Sequence, residues 1–152
     1  MRRRTHPLML LAFVAIVLQL SIQTDRLQAQ EGAEIATTEG TLVFKEAKFS
    51  DRFPVGCTTD PFGRTDARGC LAATAGYQLL IVLFEGGTGV GSDIVDQFYV
   101  TAGNGSRTSA TQKLWEMGGS WTLVFSVRAS ADGLKLVTPD NEPIELTPER
   151  ER

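Results

Sequence analysis

The chain has 152 residues, with 15 Lys/Arg against 18 Asp/Glu, two Cys and one His. A net charge of −3, with no basic cluster beyond the first residues, argues against nucleic acid and anionic lipid as partners. The single histidine, His6, lies in the apolar leader, so the rest of the chain cannot build a Ser-His-Asp or Cys-His catalytic arrangement, or a histidine-based zinc or haem site.

In chain order, Arg2, Arg3 and Arg4 precede the apolar run Leu8 to Leu18. A basic start followed by a short apolar run is the pattern of a signal peptide, and it is short of the roughly 20 residues a membrane span needs. Leu27-Gln28-Ala29 offers Ala at the last position of a cleavage site but a bulky Leu two before it. Residues 1–29 are therefore expected to be a signal peptide. The rest is expected to be secreted or extracytoplasmic, and to meet the membrane only if the leader stays uncleaved as an anchor. The leader carries four of the 15 basic residues and one of the 18 acidic ones, so its removal leaves about −6.

Residues 30–40 are small and polar and read as a flexible lead-in. Thr41 to Phe49 reads as a half-buried strand whose alternation breaks around Ala47. Residues 50–70 are rich in turn formers and contain Cys57 and Cys70. In an exported chain an even cysteine count points to a disulfide, here one closing this loop and contributing about 3 kcal/mol. Gly76 to Glu85 is a continuous apolar, β-rich run between glycines, expected to be a central strand buried on both faces. Gly86 to Gly91 reads as a loop, and Ile94 to Ala102 as a strand. Asn104-Gly105 is a hairpin signal leading to a polar strand from Ser106 to about Thr111. Ala110 to Met117 can hold a turn or two of helix. Trp121, Leu123, Phe125 and Val127 alternate with Thr122, Ser126 and Arg128, with Val124 the exception. Gly133 to Thr138 and Pro143 to Leu146 supply two short strands around an Asp140-Asn141 turn, and residues 148–152 read as a charged tail. About seven short strands over 41–147 predict an all-β fold, an antiparallel immunoglobulin-like β-sandwich.

The run Gly76-Tyr77-Gln78-Leu79-Leu80-Ile81-Val82, then Phe98-Tyr99-Val100 leading to Asn104-Gly105, then Trp121 to Val127 and Leu134-Lys135-Leu136, carries a resemblance. In these segments the chain resembles the telokin-like, immunoglobulin-type extracellular domains of unknown function, which are similar to the secreted mycobacterial immunoprotective antigen family. It departs from them after the long core strand, where a polar Asn is common and Phe84-Glu85-Gly86-Gly87 stands here. The resemblance implies an extracellular sandwich and carries over no catalytic residue.

Several residues invite a functional reading. Gly86 to Ser92 looks like a phosphate loop but lacks dinucleotide spacing and a P-loop lysine, so a plain inter-strand loop is expected. Asp60 and Asp66, among Thr58, Thr59 and Thr65, are weak calcium candidates, offset by Arg64 and Arg68. Asp93 and Asp96, with Glu85, are the carboxylates an acid–base hydrolase would draw on. Asn104-Gly105-Ser106 matches a glycosylation sequon, though the hairpin turn accounts for it. Phe62 and Trp115 fall in segments read as loops. Both aromatics are expected to cap the ends of the core; the alternative makes them, with Arg64 and Arg68, ligand-facing loop residues.

The expectation is a secreted, non-catalytic binding or structural module without cofactor, whose partner is an extracellular protein or glycan. The alternatives are a histidine-free hydrolase using carboxylates and a calcium-dependent adhesive module.

Overall fold

The computed structural model describes residues 31–54 and 70–150. Within them the fold is all-β. The strands are β1 (Glu34–Ala36), β2 (Thr41–Ser50), β3 (Arg52–Phe53), β4 (Leu71–Ala72), β5 (Tyr77–Glu85), β6 (Tyr99–Thr101), β7 (Arg107–Ser109), β8 (Gln112–Glu116), β9 (Ser120–Arg128), β10 (Lys135–Val137), β11 (Ile144–Glu145) and β12 (Glu149–Arg150). One short helix, α1 (Ser92–Val95), precedes β6. The larger sheet runs β1-β2-β5-β9-β8, with β12 also on β2; the second runs β11-β10-β6-β7; β3 and β4 form a separate pair. All described pairings are antiparallel except β12 on β2.

The period of two explains the layering. Leu80, Val82 and Phe84 of β5 share a face with Trp121, Leu123, Phe125 and Val127 of β9. This face joins one buried cluster with Val100 of β6 and Leu136 of β10, from the second sheet. Phe84 meets Phe44 and Phe98 edge-on, at ring separations of 6.2 and 5.9 Å, a favoured aromatic geometry. The opposite face of the same strands carries Leu79, Ile81 and Val124, covered by Phe53, Leu71 and Ala73 of the β3–β4 region. Val124 breaks the alternation of β9 because its outward face is covered too. Each such fully buried aliphatic side chain contributes about 1.5–3 kcal/mol.

The irregular alternation of β2 is a β-bulge. Phe44 pairs with Phe84 and Glu46 with Leu83, so Lys45 is the extra residue. Leu42 and Phe44 face the core before it, and Ala47 and Phe49 after it. One inserted residue has reset the parity, which keeps both halves of the strand on the core.

The structure differs from the sequence expectations at several points. The 30–40 segment contains β1, paired along β2, with Ile35 fully buried. Thr37 closes the following turn through its hydroxyl to the Gly40 carbonyl at 2.7 Å. Residues 149–150 of the charged tail pair with Lys48 and Phe49, since backbone hydrogen bonding is indifferent to side-chain charge. Ile94 and Val95 belong to α1, so the strand after the glycine loop begins only at Tyr99. The 112–116 segment is the edge strand β8 and not a helical turn. The Asn104-Gly105 hairpin forms, but through a wider loop. Gly105 takes φ +81° and Asn104 stays at negative φ, with Gly105 N–H donating to Ala102 C=O at 2.9 Å.

Candidate functional site

The second sheet's β6–β7 hairpin reaches across to β9 where β8 has ended. Pairing between β8 and β9 runs from Ser120 only to Val124. Beyond it, Ser126 to Arg128 keep β5 on one side, and β7 also approaches β9. A groove of about 350 Å³ opens there, lined from the hairpin by Asn104, Ser106 and Thr108, from β9 by Ser126 and Arg128, from the following loop by Ser130 and Asp132, and from β5 by Tyr77. Val100, Ala102, Val127 and Leu134 supply its apolar lining.

Local backbone geometry sets these groups. Gly103 N–H donates to the Asp132 carbonyl at 2.8 Å, tying the hairpin to the β9–β10 loop. A side chain on Gly133 would come within 3.3 Å of the Gly103 Cα, so the two loops approach closely and a side chain there would push them slightly apart. Asn104 Oδ1 accepts from Ser106 N–H at 2.9 Å, which leaves the amide NH₂ as a donor. Tyr77 and Arg128 are directly opposite in the β5–β9 register and therefore share a face. Tyr77 is 41% exposed, although aromatic.

The cation of the groove stands apart from the other described basic side chains, whereas Asp132 is one of several carboxylates without an ion pair. Lys45 pairs with Glu85 at 3.0 Å, Lys48 with Glu46, Lys135 with Glu145, and Lys113 with Asp96. Arg107 lies 3.6 Å over the Tyr99 ring. Among the residues whose side chains are described, Arg128 and Asp132 enter no ion pair. The residues lining the groove thus include one uncommitted cation, one uncommitted carboxylate, an amide donor, several hydroxyls and an aromatic ring. In the strand register Tyr77, Ser126 and Arg128 lie on the face of Leu79 and Ile81, and Val127 on the core face, so the lining draws on both faces of β9.

Of the residues singled out in the sequence, Asn104 and Ser106 of the sequon line the groove and the others fall elsewhere. Cys57, Asp60, Phe62, Arg64, Asp66 and Arg68 lie outside the described residues, and the leader does too. Cys70 stands next to β4, and no free cysteine occurs among the described residues. Trp115 is not in a loop: it sits on β8 opposite Trp121 and is 54% exposed, so it does not cap the core either. Of the hydrolase carboxylates, Glu85 is held by Lys45 and Asp96 by Lys113, while Asp93 is in the first turn of α1. No group of three or more His, Cys, Asp or Glu among the described residues is placed to hold a metal.

The glycine loop serves packing. A side chain on Gly87 would lie 2.5 Å from Leu42 Cδ2 and 3.0 Å from Trp121 Cδ1, and Gly87 N–H donates to Gly119 C=O at 2.7 Å. Trp121 Nε1 donates to Val90 C=O at 3.2 Å, and the Glu39 carboxylate accepts from Gly91 N–H at 2.7 Å. The loop therefore seals one end of the core. The groove is not legible in the sequence because its parts come from three separate stretches of chain, around Tyr77, Val100 to Thr108 and Ser126 to Leu134. The one available signal was the polar set Ser126, Arg128, Ser130 and Asp132, spaced by two at the end of an apolar strand.

Among the described residues no helix is long and apolar enough to cross a membrane. Comparison of the chain with family models, with curated proteins and with solved structures finds no match.

Proposed function

We propose that this chain is an exported, non-catalytic binding module with an immunoglobulin-like β-sandwich, which takes its ligand at the groove beside the C-terminal half of β9. The observation that carries this reading is the pairing of an exposed Tyr77 with an uncommitted Arg128 in a preformed groove. Side chains held by rigid strands and clamped loops, with donors and acceptors unused internally, are what a binding site requires. The single buried cluster shared by the two main sheets supports the sandwich, and with it the telokin-like resemblance. The apolar leader supports export to an extracellular protein or glycan partner, without cofactor. Export also favours a Cys57–Cys70 disulfide, with which the absence of a free thiol at Cys70 agrees. The non-catalytic part is supported by the lack of any histidine beyond His6.

The test is retention of surface-extract material and of a glycan panel on the immobilised chain, set beside an Arg128→Ala variant. The expected result is a retained component that the variant loses at unchanged melting temperature. Equal retention by both proteins would contradict a ligand site at the groove.

A further inference from the structure

We infer that the groove takes a neutral saccharide, with Tyr77 as its stacking platform. The inference rests on the binding reading above and adds the chemical class of the ligand. Three features of the groove lead to it.

The first is charge. Arg128 and Asp132 are both uncommitted and both line the groove. An anionic ligand satisfied by Arg128 would meet Asp132, and a cationic one satisfied by Asp132 would meet Arg128. A ligand without charge can use both. The second is the hydrogen-bonding inventory. A sugar hydroxyl both donates and accepts. The groove offers donors in the Arg128 guanidinium and the Asn104 amide, an acceptor in the Asp132 carboxylate, and two-way hydroxyls in Ser106, Thr108, Ser126 and Ser130. A charge-assisted bond from each end of the set to neighbouring hydroxyls fixes the orientation of a ring. The third is the aromatic. Tyr77, a half-exposed lining residue, offers the C–H face of a sugar an apolar ring, with Arg128 opposite it in register. The volume of about 350 Å³ is at the small end of ligand sites. That size suits a mono- or disaccharide unit better than a peptide side of an interface, which spreads over a wider area.

The test uses the full chain, expressed with its leader and recovered from the extracytoplasmic fraction. Cellobiose, maltose, lactose and N,N′-diacetylchitobiose are titrated and followed by amide chemical shifts. Glucuronate and glucosamine serve as charged controls. The expected result is saturable shifts at Tyr77, Asn104 to Thr108 and Ser126 to Asp132 with at least one neutral sugar. Tyr77→Ala and Asp132→Asn are each expected to weaken that binding about tenfold, and Tyr77→Phe to retain it. Melting temperatures of the variants distinguish lost binding from lost folding. Shifts with a charged control alone would overturn the inference. So would neutral-sugar binding that survives both variants, or an absence of groove shifts with every sugar. If no sugar binds while a surface protein is retained in an Arg128-dependent way, the saccharide class fails and the binding reading stands. If nothing at all engages the groove, both fail.

Discussion

At the scale of single residues, glycines decide where the ends of the molecule close. Gly119 has φ +89°, and a side chain there would sit 2.7 Å from Thr88 Oγ1 and 2.8 Å from the Thr88 nitrogen. Backbone cannot yield as a long side chain can. Gly105 has nearly the same φ, +81°, with open space around it. The pair separates conformational strain from collision. Gly105→Ala is expected to cost about 1–2 kcal/mol, the penalty for the left-handed region alone. Gly119→Ala is expected to cost clearly more, about 3 kcal/mol or above, because the Thr88 backbone must move as well. Urea unfolding of the two variants checks this, and equal losses would mean that the Thr88–Gly119 approach is not a tight contact. The same residue scale explains a functional miss. A ring and a guanidinium that face each other across β5 and β9 are fifty-one positions apart in the chain, and no local pattern links Tyr77 to Arg128.

At the scale of elements, what could be read from the sequence was what periodicity carries. β5 and β9 are nine residues long and strongly apolar, so their strand character and their buried faces follow from spacing alone. The elements that could not be read are short or depend on backbone pairing. α1 has four residues, fewer than a helical stripe needs to show itself. β8 mixes Lys113, Trp115 and Glu116 on an edge that demands little burial. β12 is two charged-tail residues recruited by the free edge of β2. β2 is legible as a strand, but its bulge disguises its regularity. Removing Lys45 from the sequence leaves Leu42, Phe44, Ala47 and Phe49 in strict alternation. Deletion of Lys45 is therefore expected to leave a folded protein that loses little beyond the exposed Lys45–Glu85 pair, about 1 kcal/mol or less. Deletion of Val43 keeps the bulge but turns the fully buried Leu42 outward, at a cost of about 1.5–3 kcal/mol. Thermal unfolding by circular dichroism ranks the two. A larger loss from the Lys45 deletion would show that the bulge itself, and not the parity it preserves, holds the strand.

At the scale of the whole molecule, the central sheet is covered on both sides, by the second sheet and by the β3–β4 pair. Cys70 immediately precedes β4, whose neighbours cover Leu79, Ile81 and Val124. A Cys57–Cys70 disulfide would therefore brace the smaller of the two covers. Its reduction is expected to remove about 3 kcal/mol and to lower Tm by several degrees. An unchanged melting curve after verified reduction would contradict that role. The groove is formed where the main sheet loses its edge strand and the second sheet's hairpin closes in. The claim that binding happens there is tested most directly by hydrogen exchange on the full chain, with and without retained surface ligand. Protection confined to residues 102–108 and 126–132, with the β8 edge around Trp115 unchanged, is the result expected. Protection centred on β8, or none in either region, would contradict it.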